Sequence, residues 1–265
     1  MPACVKLLKL KGGMSNLYWL SEDQMVRLWS YFPQNHGAPH VDDRRVLSGI
    51  ILINRNGLRW YDAPKQYGPH KMIYNRWKQC FGMGVFARFL TGLTAEAPDP
   101  NTISIGATYL KTHCTASSLR LKKKGRGRLI GRTKGGINTK VHAVNEIVGR
   151  PIVFFLTVGQ VSDFTEARAP VNSLPAAGWL LVDRGYDADW FCETVVDGGI
   201  ARCIPQRKSR DKPIKDDKQR YKRRKRMEII FGSLKNWWRI APQYDRCLKV
   251  FLSAIALAAT FLFWL

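Results

Sequence analysis

The sequence predicts two successive units, a small all-helical region and then an α/β domain. Apolar residues recur at helical spacing from residue 15 to about 94. A stretch carrying Pro98 and Pro100, residues 95–101, then reads as a linker. Beyond it the pattern changes to alternating or continuously apolar runs of strand length. With 265 residues and 45% hydrophobic composition, there is material for one large domain or for one small and one medium domain.

In the helical region, Ser21 reads as a cap and Glu22-Asp23 as an acidic first turn. They lead into the apolar positions Met25, Leu28 and Trp29. Pro33 and the following Asn-His-Gly-Ala-Pro break that helix. Asp42 and Asp43 open a second one through Val46, Leu47, Ile50, Ile51 and Ile53, which ends near Asn56-Gly57. A short helix at 64–67, a turn at Gly68-Pro69 and a longer helix over 70–81 follow. The last pair has the proportions of a helix-turn-helix, whose second helix would present His70, Lys71, Asn75, Arg76 and Lys78. An ordinary bundle with solvated lysines has the same spacing.

In the second unit, 103–109 and 137–144 read as strands, and 151–158 as a buried strand after a turn at 147–150. A helix over 163–173, a strand at 178–183, a helix over 187–196 and a strand at 200–204 come next. A long basic helix starts near Gln219, and an apolar helix closes the sequence. Three strands, then helix, strand, helix, strand, helix is the order of a ribonuclease-H-like α/β domain. The uncharged run 250–265 falls short of the roughly 18 apolar residues expected for a membrane span, so it predicts a buried core helix. The opening residues carry lysines within their apolar stretch and lack a signal-peptide core. Because Met14 opens a more ordinary sequence, residues 1–14 read as an upstream extension.

Charge narrows the partners. Lys and Arg number 43 against 20 Asp and Glu, a formal net charge of +23, which favours a polyanion. Nucleic acid is the leading candidate and an anionic membrane the competitor. Much of the excess lies in two blocks. Residues 120–135 include Lys122, Lys123, Lys124, Arg132 and Lys134 and read as a Gly-rich mobile loop; residues 207–226 lead into the basic helix. Two such runs flanking one core favour contact with backbone phosphates over a merely solvated surface. The six cysteines form no CxxC pair, as expected for free thiols in a reducing compartment. His36 and His40 have no nearby partners that would make a metal site.

The segment 221–235 carries the most chemistry. On a helix, Tyr221, Arg224, Glu228 and Lys235 share one face, within an arc of about 60°. Met227, Phe231, Leu234 and Trp238 form an adjoining apolar stripe that would lie on the sheet. Glu228 would then stand at the edge of the buried face, unless it serves only as an i,i+4 ion pair with Arg224. Asp183 ends the apolar strand Gly-Trp-Leu-Leu-Val-Asp, where α/β sheets place ligand sites, although turn-capping aspartates are common there too. Two such carboxylates could hold Mg²⁺ through hard oxygens.

The spacing of Tyr221, Arg224, Glu228 and Lys235, with two, three and six residues between them, resembles the motif of insertion-sequence DDE transposases. Residues 181–191 are similar to that family's second-aspartate region. Residues 131–144 and 156–167 are similar to its stretches between the first and second aspartates, and 19–28 and 67–77 to its helical DNA-binding region. The resemblance implies that Asp183 and Glu228 are catalytic and hold Mg²⁺ or Mn²⁺ in a two-metal site. It implies that Tyr221, Arg224 and Lys235 contact DNA, with Lys71, Arg76 and the basic loop. It further implies double-stranded DNA partners (element ends and target), a homo-oligomer on DNA, no small-molecule substrate, and a cytoplasmic, nucleoid-associated bacterial protein. One departure stands out. Where the family carries its first aspartate, this sequence reads Ile103-Ser104-Ile105-Gly106-Ala107-Thr108, and glycine supplies no side-chain oxygen. Weak metal binding and poor DNA cutting are therefore expected, and a DNA-binding remnant or regulator of an intact transposase is the alternative.

Overall fold

The computed structural model describes residues 17–32, 42–97, 100–117, 129–160, 174–205, 218–245 and 247–265. The extension 1–14, the helix expected over 163–173, His36, His40 and Lys122, Lys123 and Lys124 lie outside them.

Helix α1 (Glu22–Trp29) starts as its cap signal predicts. The Ser21 side chain accepts from Gln24 N–H while Gln24 reaches back to Ser21 N–H, a reciprocal capping box. Met25 and Leu28 turn inward, but Trp29 does not: it is 55% exposed. This peripheral helix buries only a narrow stripe, and Trp29 lies about 100° round from Leu28. Helix α2 (Asp43–Asn56) is capped by the Asp42 carboxylate on Arg45 N–H. It ends at Gly57 in the left-handed conformation, at a φ of 62°. Two short 3₁₀ turns, Trp60–Asp62 and Lys65–Tyr67, lead to α3 (His70–Gly82) and α4 (Val85–Ala95).

Among the described residues the sheet has six strands: β1 (Thr102–Lys111), β2 (Gly131–Thr133), β3 (Gly136–Glu146), β4 (Pro151–Val158), β5 (Trp179–Leu181) and β6 (Ala201–Cys203). β3 pairs antiparallel with β1, β2 and β4; β5 lies parallel to β1, and β6 parallel to β5. An antiparallel meander continued by parallel strands is the ribonuclease-H-like arrangement that the element order predicts. The short strand β2 was not expected, since that stretch reads as the end of a loop.

The two faces of β1 serve different purposes. Ile103 and Ile105 join a core with Val144, Leu180 and Val182, covered by Phe191, Cys192 and Val195 of α5 (Asp189–Asp197). Alternation turns Ser104, Gly106 and Thr108 to the opposite face. Over that face runs the basic segment: α6 (Lys218–Lys222), a 3₁₀ turn (Arg223–Lys225) and α7 (Arg226–Lys235). Met227, Phe231 and Leu234 are buried as expected, whereas Trp238 is 58% exposed and Trp237 is inside at 2%. The helix ends at Lys235, so the 100° step that predicted Trp238 inward no longer applies.

The terminal helix α8 (Leu248–Phe263) buries Phe251, Ile255, Leu257 and a run of alanines. It packs on α2, α3 and α4 on one side and on β4 and α7 on the other. One continuous apolar cluster thus runs from Leu20 and Val46 through Leu257 to Val141 and Phe154. Small alanine side chains permit these close approaches. The buried helix expected at 250–265 is present, and no helix among the described residues is long and apolar enough to cross a membrane.

Candidate active site

β1 and β5 pair with Thr102 opposite Trp179 and Ser104 opposite Leu181. Two residues further along each chain stand Gly106 and Asp183, both on the face under α7. A Cβ at Gly106 would come within 2.6 Å of the Met227 methyl and 3.5 Å of the Phe231 ring. The terminal methyl of Met227 therefore fills the room above the glycine. Glu228 follows Met227 directly; it is exposed, and among the described residues it makes no hydrogen bond or ion pair. Beneath them, Asn145 on β3 donates to Ser104 Oγ at 3.0 Å and also meets the Met227 sulfur.

Asp183 is held from several sides. One carboxylate oxygen accepts from Arg184 N–H at 2.8 Å, capping the 3₁₀ turn Arg184–Tyr186. The other accepts from Arg224 Nη2 at 2.9 Å, and the Tyr221 hydroxyl lies 3.4 Å from the first. Arg224 thus pairs with the strand aspartate and not with Glu228, so the i,i+4 alternative does not form. Asp183 is 48% exposed in its side chain, so the ion pair stabilises by at most about 1 kcal/mol. Burial pushes the Tyr221 hydroxyl above its ordinary pKa, opposed by Arg224 and reinforced by Asp183. Lys235, at the far end of α7, donates from Nζ to Thr108 Oγ1 at 2.7 Å, and burial lowers its pKa. Gly106 and Thr108 share a strand face, so α7 follows β1 with Met227 over one and Lys235 over the other.

The remaining basic candidates separate. Lys71 on α3 is exposed, as are Arg132 and Lys134 at the β2–β3 hairpin. Arg76 is not: it is ion-paired with Asp43, whose side chain is 5% exposed against 14% for the arginine. Its guanidinium is thus engaged inside the helical region, unlike that of the exposed Lys71. The wish of buried Asp43 for a partner won over helix-face spacing.

Sequence reasoning missed three participants. Thr108 gives Lys235 its partner, Met227 occupies the space over Gly106, and His142 lies buried at the centre of β3. The His142 ring bonds Tyr186 Oη at 3.0 Å and Thr157 Oγ1 at 2.8 Å, and stacks on Phe155. Burial, with Lys140 nearby, pushes its pKa down to about 3. Alternation along the paired strands β1 and β3, where Thr108 faces Val141 and His142 faces Ala107, was the signal that could have turned Thr108 and His142 to opposite faces.

Two family models match this chain. One, described as "Putative transposase of IS4/5 family", matches residues 20–90; the other, "Transposase DDE domain", matches residues 180–265. By these matches the chain resembles the DDE transposases, a nuclease and strand-transfer class. The two matches cover separate parts of the sequence, and both descriptions are of transposases. Among curated relatives, "Putative transposase for insertion sequence element IS6501" from Brucella ovis is 29% identical over 130 residues, 49% of this chain and 99% of that protein. "Uncharacterized protein y4sN" from Sinorhizobium fredii is 29% identical over 110 residues, 40% of this chain and 87% of that one. Among solved structures, a piggyBac transposase synaptic complex with hairpin DNA aligns at a TM-score of 0.49 and 7% identity, over 91% of this chain and 70% of that one. A Mos1 transposase paired-end complex aligns at 0.25 and 10% identity, over 88% and 83%.

DDE domains depend on divalent metal, and the residues here do not fit a complete site for it. Among the described residues no group of three or more His, Cys, Asp or Glu gathers to hold an ion. Of the expected triad, Asp183 is drawn to Arg224, Glu228 stands in solvent, and Gly106 has no oxygen to offer beneath a methionine methyl. A pair of hard cations needs several converging oxygens, and this donor set falls short.

Proposed function

We propose that this chain binds the terminal inverted repeats of an insertion sequence as double-stranded DNA, and that its strand cleavage is impaired. Residues 15–94 would serve as the DNA-binding region and 102–265 as the DDE domain, with 95–101 as linker. Lys71, Arg132 and Lys134 would contact phosphates, with Lys122, Lys123 and Lys124. Tyr221, Arg224 and Lys235 would meet the DNA end in the cleft. Asp183 and Glu228 would be the surviving catalytic carboxylates, toward Mg²⁺ or Mn²⁺ in intact relatives. A homo-oligomer holding two ends in the bacterial cytoplasm, at the nucleoid, completes the reading.

The observation that carries the impairment is Gly106 beside Asp183 under Met227. The purified chain should shift a duplex bearing the repeats in a gel and leave it uncut at ordinary Mg²⁺. Gly106→Asp should introduce metal-dependent nicks, because the obstructing atom is the free end of a flexible side chain. Nicking by the unaltered chain would show that this inference from the glycine is wrong. Failure of Gly106→Asp to cut would count against the triad. The second reading, favoured by the same glycine, is a regulator: mixed with an intact relative, the chain would slow that enzyme by occupying its ends.

A further inference from the structure

Three large aromatic rings stand in solvent on one side of the helical region. Tyr61 is 76% exposed, Trp238 58% and Tyr74 44%. They are linked through the residues between them. The Tyr61 ring lies 5.0 Å from that of His70, one helical turn before Tyr74. The Tyr74 ring lies 5.5 Å from Trp60. Trp60 in turn carries the Arg239 guanidinium 5.3 Å from its centre, and Trp238 precedes that arginine in the chain. The backbone fixes the last ring: Trp238 N–H donates to Arg55 O at 3.0 Å, and Arg239 N–H to Asn54 O at 3.2 Å. Gly57, left-handed at the end of α2, leaves room for the Trp238 Cβ. A segment from beyond α7 is thereby fastened to the helical region.

The charge around these rings is positive. Lys71 and Lys78 lie exposed on the same α3 face as Tyr74, at spacings of three and four residues. The acids nearby are already matched, Asp62 by both bonds from Arg59 and Asp245 by Arg239. The other exposed aromatics of the helical region make a useful contrast. Trp19 and Trp29 stand on or beside α1, whose first turn carries Glu22, paired with Arg44, and a second acid, Asp23.

Phosphate binding alone would need the lysines and not the rings. Ordered rings among cations suit a chain that carries both phosphates and free flat faces. In a duplex those base faces are covered by their stacked neighbours. We infer that Tyr61, Tyr74 and Trp238 form a stacking platform for unpaired bases, so that this face holds a single-stranded stretch of DNA. The inference rests on the DNA-binding reading above and adds the form of DNA that this surface takes.

The test uses the full chain, with a labelled 20-nucleotide oligothymidylate and a labelled 20-base-pair duplex, both followed by fluorescence anisotropy. Tyr61→Ala and Trp238→Leu should each weaken oligothymidylate binding roughly tenfold, the scale of one lost base stack. Each should leave duplex affinity within about twofold and the salt dependence unchanged, since no phosphate contact is lost. Trp238→Phe, which keeps a ring, should retain most of the affinity, whereas a purely structural tryptophan would fail in both variants alike. Equal losses on both DNA forms, or no loss on either, would overturn the platform. Duplex binding without measurable single-strand binding would overturn it as well and leave the earlier reading standing. A parent chain that binds neither form overturns both.

Discussion

In the cleft under α7, polar groups have already found one another: Asp183 with Arg224 and Tyr221, and Lys235 with Thr108. On the helical face the opposite holds, with Tyr61, Tyr74 and Trp238 turned to solvent and Lys71 unpaired among the described residues. The two regions share residue types and differ in what remains to be satisfied. In the cleft a methionine methyl lies over Gly106, and Asp183 is taken up in an internal ion pair. The helical face keeps its rings and cations free.

Helix α3 offers the sharpest way to break this comparison, because it carries one cation of each kind. Arg76→Met should destabilise the fold by about 3 kcal/mol, since it strands the buried Asp43 carboxylate. Lys71→Gln should leave stability within about 0.5 kcal/mol and instead lower the slope of log affinity against log salt by roughly one unit. Chemical denaturation and binding titrations of the two variants check this. Equal stability losses would mean that Lys71 is also an internal residue.

The sheet supplies a second test, of intermediate size. His142 has its folded pKa pushed down to about 3, below the ordinary value of about 6.5 for the unfolded chain. The folded state resists the proton, so the stability from neutral His142 is complete above pH 6.5 and is lost progressively between 6.5 and 3. Lowering the pH from 7 to 5 should therefore cost about 2 kcal/mol in urea unfolding, and His142→Asn should flatten that slope. An unchanged slope in the variant would remove His142 from the account.

The smallest effect belongs to the cleft. Thr108→Val removes the partner of Lys235 Nζ and should change stability by about 1 kcal/mol or less. Its informative readout is DNA affinity. A lysine released from Thr108 should bind the duplex a few-fold differently, and Thr108→Ser should restore the parent value. Identical behaviour of Val and Ser variants would mean that the threonine does not position the lysine.

Local signals wrote a large part of this molecule. Ser21 and Asp42 cap their helices, Gly57 ends α2, residues 151–158 form β4, and 250–265 form a buried helix, because capping, turn and burial preferences act over a few residues. The family motif likewise marked Tyr221, Arg224, Glu228 and Lys235 before any geometry was available. What tertiary structure alone decided was who partners whom. Arg76 went to Asp43, Arg224 to Asp183 in place of Glu228, Met227 to the space over Gly106, and Trp238 outward while Trp237 turned in. Each of those outcomes depends on a residue far off in the chain, and helical or strand periodicity describes only the direction a side chain leaves its own element, not what waits on the other side.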